Sequence, residues 1–257
     1  MPYTTQDLIN QTLSLIDEPQ NSNTGLFSAD GISAVWSTPQ TVVHYLNEAT
    51  SEMCRSCFFY PVTGQQGTAS TPPTTNNQQY YPLRYITDGT GATVWAATEV
   101  AFNGLPLVRT NYSQLRAAGS LPMTDAGGAP TSWYPSGDTI ALYPVPTTAA
   151  TIKATGPGIP TDLSYNLLNQ PIVWLQDDMS IYLVQRAAIK MTIRNAPEDS
   201  ILTGKVITWM KECLQSQTRF ADKIISDDPY MFNRYFRGTL AAQQAEMSAQ
   251  LGAEQGS

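Results

Sequence analysis

Trp133-Tyr134-Pro135-Ser136-Gly137-Asp138-Thr139-Ile140-Ala141-Leu142-Tyr143-Pro144-Val145-Pro146, followed by Thr151-Ile152-Lys153-Ala154-Thr155-Gly156-Pro157-Gly158-Ile159-Pro160, is the stretch on which the fold turns. Thr139–Tyr143 and Thr151–Thr155 alternate apolar and polar with period two, the pattern of half-buried strands. Pro135-Ser136-Gly137-Asp138 and Pro144-Val145-Pro146 are turn signals that cut the run into short pieces. Upstream the same rhythm continues through Leu83-Tyr85-Ile86, Val94-Trp95, Val100-Phe102 and Leu105-Leu107-Val108, with Asn103-Gly104 as a hairpin turn. Gly64 to Gln79, rich in Gly, Thr, Pro, Asn and Gln, is expected to be a loop. Residues 61–160 are therefore expected to form a small antiparallel β-domain.

Helical signals flank it on both sides. Thr4 with Asp7 three residues on is a capping box, and Ile9, Leu13 and Ile16 form the stripe of the helix that follows. Thr38-Pro39 opens a second helix, with Val42, Leu46, Ala49, Met53 and Cys57 facing a core. Beyond Pro171, residues 172–193 are apolar on nearly every face, including Trp174, Met179, Tyr182, Val184 and Met191. Such a helix needs cover on all sides, so these five residues are expected at a subunit interface. Leu202, Val206, Trp209, Cys213, Gln217, Phe220 and Ile224 mark the clearest helix. The expected class is α+β: a helical bundle body from residues 1–60 and 161–228, the β-insertion, and an extended C-terminal tail over 229–257.

Charge and composition exclude several functions. The 257 residues are 42% hydrophobic, which is globular, but only 14% charged, well below an ordinary soluble domain. A surface of uncharged polar groups loses little on desolvation and suits packing against other proteins. The net charge of −7 disfavours a sequence-independent nucleic-acid binder. Residues 1–54 hold six acids and no base, whereas Arg186 to Arg237 hold nine bases against six acids. That asymmetry suits copies or partners meeting head to tail. No apolar run reaches the ~18–20 residues of a membrane span, and the first residues lack a signal peptide's pattern, so a cytoplasmic product is expected.

Candidate catalytic motifs are weak. Cys54-Arg55-Ser56-Cys57 lies at the end of a helix, where a thiolate is disfavoured, and zinc would have only His44 and Cys213 to add. His44 is the single histidine and no Gly-x-Ser-x-Gly elbow is present. Asp88-Gly89-Thr90-Gly91 lacks the third glycine of a phosphate cradle and reads as a turn. The neighbouring acids Asp177-Asp178 and Asp227-Asp228 point about 100° apart on a helix. The expectation is no catalytic, metal or cofactor-binding residue and no enzyme. The segment Tyr230-Met231-Phe232-Asn233-Arg234-Tyr235-Phe236-Arg237 combines the residue types of interface hot spots. Its rings either meet a partner or dock on the protein's own helices. Leu240, Met247 and Leu251 continue an amphipathic stretch.

This layout resembles the head–tail connector (adaptor) proteins of tailed bacteriophages. The resemblance runs over about residues 3–237 and is carried by Thr5, Asp7, Leu8 and Leu15 at the start, by Trp133-Tyr134-Pro135, by Gly137 to Pro146, and by Ile152 with the Gly156 to Pro160 exit. It implies a virion protein, made in the host bacterium's cytoplasm, that forms a ring, commonly a homododecamer, under the portal protein. Such a ring extends the DNA channel, lets DNA pass without specific binding, and offers a platform to tail or nozzle proteins. It also implies that Tyr230, Phe232, Tyr235, Phe236, Leu240, Met247 and Leu251 anchor the portal, with Arg234 and Arg237 pairing to portal acids. A different class remains open, a carbohydrate-binding or tail-fibre-like β-module of a virion with Trp95, Trp133, Tyr134 and Tyr143 as a stacking platform. An enzyme using its acids or the CxxC is the third.

Overall fold

The computed structural model of the chain describes residues 3–16, 39–67, 74–75, 77–119, 127–195 and 200–255. The chain divides into two compact units, Met1–Phe58 with Asp162–Ser257, and Phe59–Thr161. The first is helical and the second holds the sheets, so the α+β class holds.

In the helical unit, α1 (Thr5–Leu15) opens on the expected capping box: Thr4 accepts from the Asp7 N–H, and the Asp7 carboxylate accepts from the Thr4 N–H at 2.9 Å. In α2 (Pro39–Ser56) and at its end, Val42, Leu46, Ala49, Met53 and Cys57 are all fully buried, as their spacing requires. Thr38, read as the cap, lies outside the described residues, as do residues 17–37 and 196–199. α4 (Asp177–Asn195) is central, with α1, α2 and α5 (Ser200–Asp227) all packed on it. It begins later than Pro171, because Pro171 and Ile172 are bonded to Thr4 and Tyr3 instead.

The C-terminal segment is not an extended tail. After α5 the Asp228 carboxylate accepts from the Met231 N–H and opens α6 (Pro229–Met231). A π-helical turn over Phe232–Phe236 leads into α7 (Arg237–Gln255), which folds back on α2 and α5. The reason lies in one face of the segment: Phe236, Leu240 and Met247 are buried. The Thr239 hydroxyl donates to the Arg55 carbonyl at 2.6 Å, and the Gln243 amide donates to the Glu52 carbonyl at 3.4 Å. Two carbonyls near the end of α2 thus find partners on another helix.

The other unit carries two sheets. One runs β1 (Pro61–Gln66), β9 (Ile152–Ile159), β4 (Glu99–Phe102), β5 (Leu105–Pro106), with β3 (Thr93–Val94) also on β9. The second runs β2 (Tyr80–Pro82), β8 (Thr139–Tyr143), β7 (Ser132–Ser136), β6 (Val108–Arg109). Val62, Val100, Phe102 and Ile152 from the first meet Tyr81, Trp133, Ile140 and Leu142 from the second in one core. Asn103 and Gly104, at φ 50° and 77°, make the expected hairpin turn.

Several local expectations change. Gly64, Gln65 and Gln66, read as loop, are strand β1 on β9, while residues 68–73 and 76 lie outside the described residues. Leu83–Tyr85 is a 3₁₀ turn rather than a strand. β6 pairs parallel with β7, so the unit is mixed rather than antiparallel. Glycine explains the Gly156-Pro157-Gly158 exit: a Cβ on Gly156 would lie 2.0 Å from the Ala96 oxygen, and one on Gly158 would lie 2.3 Å from Val62 Cγ2. The β3–β4 connection and strand β1 approach β9 too closely for any side chain there.

Candidate interaction surfaces

The charge asymmetry is partly consumed inside the chain. Arg186 Nε of α4 donates to the Glu52 carboxylate of α2 at 2.9 Å, and Lys190 Nζ bridges Glu48, at 3.0 Å, and Glu52. His44 Nε2 reaches Glu48 at 3.0 Å from the exposed side of α2. Partial burial works to raise the Glu48 pKa, but the hydrogen bond and charge of Lys190, with His44 and Arg194, hold it below the ordinary carboxylate value. Of the six N-terminal acids, Asp7 caps α1, Glu48 and Glu52 join this seam, and Asp17, Glu18 and Asp30 lie outside the described residues. The described acids therefore serve the protein's own fold before any head-to-tail partner.

The thiols are core residues. Cys54, Cys57 and Cys213 are free and buried, and burial pushes Cys57 and Cys213 up to about 12 and Cys54 higher still. A thiol so raised is neither a nucleophile nor a ready metal ligand. Among the described residues no group of His, Cys, Asp and Glu is arranged to hold a metal. Asp88 accepts from the Thr90 N–H and hydroxyl and from the Ala92 N–H, as a turn residue does.

The helix expected at a subunit interface is covered by its own chain. Met179, Tyr182, Val184 and Met191 are buried among α1, α2 and α5, and Trp174 is half-buried. Tyr182 also accepts from Gln217 at 3.0 Å. The premise that only a neighbour could cover this helix is thereby removed. Three helices cover its inward faces, while Ile181 and Ile193 stay exposed.

The C-terminal residues sort into two faces. Phe232, Phe236, Leu240 and Met247 point inward, and Tyr235 and Leu251 are half-buried. Tyr230, Arg234 and Arg237 point outward. Arg234 stacks near the Tyr230 and Tyr235 rings at 5.6 and 5.7 Å and donates to the Tyr230 hydroxyl. No acid pairs with Arg234 or Arg237 among the described residues.

In the sheet unit, the aromatic platform is absent: Trp133 and Tyr134 are buried, and Trp95 and Tyr143 are half-buried. Arg109 lies over the Trp133 ring at 4.9 Å. The exposed surface lies elsewhere, along Leu105, Val108 and Tyr112. Tyr112 begins α3 (Tyr112–Ala117), a short helix capped by Asn111 in which no residue is buried. The helical unit has its own apolar groove of about 300 Å³ between α1 and α4, lined by Gln11, Ser14, Leu15, Ile181, Val184 and Gln185. Sequence periodicity missed both surfaces, because it finds the faces that point inward.

The family model for SU10 adaptor protein matches residues 3–204. The chain belongs to that family. It is thus a phage adaptor, a structural component of the virion. No curated protein matches the chain. The match ends within α5, so the adaptor's exposed Tyr230, Arg234 and Arg237 lie outside the part that defines the family. No described helix of the adaptor is long and apolar enough to cross a membrane.

Proposed function

We propose that the protein is a non-enzymatic connector that assembles as a ring, twelvefold in the commonest case, beneath the portal. The ring lengthens the DNA channel, passes DNA without binding it specifically, and presents a platform to tail or nozzle proteins. The family match over residues 3–204 is the observation that carries this reading. The low charge of 14% supports it, since such a surface is cheap to desolvate against several neighbours.

The portal-binding face is narrower on this reading than the whole C-terminal segment. Tyr230, Arg234 and Arg237 are exposed and already oriented, so binding an acidic portal surface costs them little further ordering. Phe232, Phe236, Leu240 and Met247 hold the segment to its own unit. The test is the native mass of the protein, alone and mixed with its phage's portal ring. One copy bound per portal subunit is the expected result, and the charge-reversed Arg234→Glu/Arg237→Glu variant is expected to lose that complex. A wild-type protein that leaves the portal mass unchanged refutes the connector.

A further inference from the structure

Copies that close into a ring present two different surfaces to one another, one on each side. The inward faces of α4 offer neither, because the chain itself fills them. Two surfaces remain open, and they carry opposite charge.

The first is the arc from β5 to α3. Leu105 is 69% exposed, Val108 71% and Tyr112 43%. β5 and β6 are each the last strand of their sheet path. α3 is six residues long and buries none of them, and a helix so short draws its stability from packing rather than propensity. The arc is also distinctive in charge. On a chain of net charge −7, residues 100–119 contain no acid and two bases, Arg109 and Arg116. Arg116 is exposed and pairs with no acid among the described residues. The second surface is the α1/α4 groove, whose lining carries no charged side chain. Ile181, 56% exposed, stands in it; Val173, 94% exposed, precedes α4, and the exposed Asp178 sits in the first turn of that helix. An apolar hollow beside an acid is the counterpart of apolar knobs beside an arginine.

Building on the ring reading, we propose that the arc of one copy seats in the α1/α4 groove of a second copy, with Leu105 and Val108 against Leu15 and Ile181, and Arg116 paired to Asp178. The contact is heterologous, so repeating it generates a ring or a filament rather than a closed pair.

Native mass is measured for the wild type, Arg116→Asp, Asp178→Arg and the double variant, each alone and with the phage's portal ring. Reversing either charge sets like charges face to face and is expected to weaken assembly about tenfold or more; the double variant is expected to recover it. Val108→Glu, also at an exposed position, is expected to weaken assembly while circular dichroism reports an unchanged fold. If the wild type assembles and the single variants assemble equally well, the arc-to-groove contact is wrong and the ring stands. A double variant that fails to recover removes the Arg116–Asp178 pairing. A wild type that stays monomeric in both conditions overturns the ring and this contact together.

Discussion

Arg186, whose side chain is 6% exposed, has the Glu52 carboxylate as its partner at 2.9 Å. Glu52→Ala leaves that guanidinium buried without its counter-charge and takes one of two carboxylates from Lys190, so a loss of about 3 kcal/mol in a denaturant melt is expected. Glu48 makes the same seam sensitive to acid. Its pKa is lower in the folded chain than its ordinary 4.5, so the unfolded chain takes up the proton first. The stability it contributes is complete above that ordinary value and is lost as pH falls towards the folded one. Thermal melts from about pH 6 down to about pH 3 are expected to show a falling acid limb that Glu48→Gln makes shallower. None of these pairings was legible in the sequence, where the same charges look like partners for another molecule. Spacing along a chain gives no measure of which distant helices will meet.

Among the elements, β9 is the most constrained. A Cβ at position 158 would lie 2.3 Å from Val62 Cγ2 and 2.7 Å from the Thr93 oxygen, so Gly158→Ala forces strands apart and is expected to cost at least about 2 kcal/mol in a thermal or denaturant melt. α7 gives a second expectation. Removing residues 229–257 strips Phe232, Phe236, Leu240 and Met247 from the helical unit, so the truncated protein is expected to melt well below the full chain, at a cost of several kcal/mol. Loss of portal binding in that truncation would therefore say little about a contact. α2, α5 and β8 were legible because each repeats its apolar residues at the period of its own geometry. β1 was not, because Gln66, 2% exposed, is a buried polar residue in a run without apolar alternation. The parallel β6–β7 pair was hidden for another reason: 22 residues separate its strands, and pairing direction leaves no local mark.

For the whole molecule, the charge pattern bears on the proposed passage of DNA. The exposed Lys211, Arg219 and Lys223 of α5 share one side of the helix with the acids Glu212 and Asp222, so they form no stripe free of acids. Duplex DNA is therefore expected to run unretarded in a mobility assay with about 10 μM protein at physiological salt. The α+β class and the phage-adaptor resemblance were both readable from residues 133–160 with the capped first helix, since turn chemistry and period two survive without knowledge of the contacts. The open surfaces were not, because a residue left outside obeys no period. The sheet order bears on the sequence of events in folding. β9 is the hub on which β1, β3 and β4 all pair, and in chain order it is the last strand of its unit. On a ribosome β1, β3 and β4 emerge before the strand they share, and their sheet stays incomplete until residue 159 is free of the exit tunnel. The sheet then closes in one late, non-local step, and the helical unit must wait longer still, since α1 and α2 meet α4 only after the whole insertion has been made.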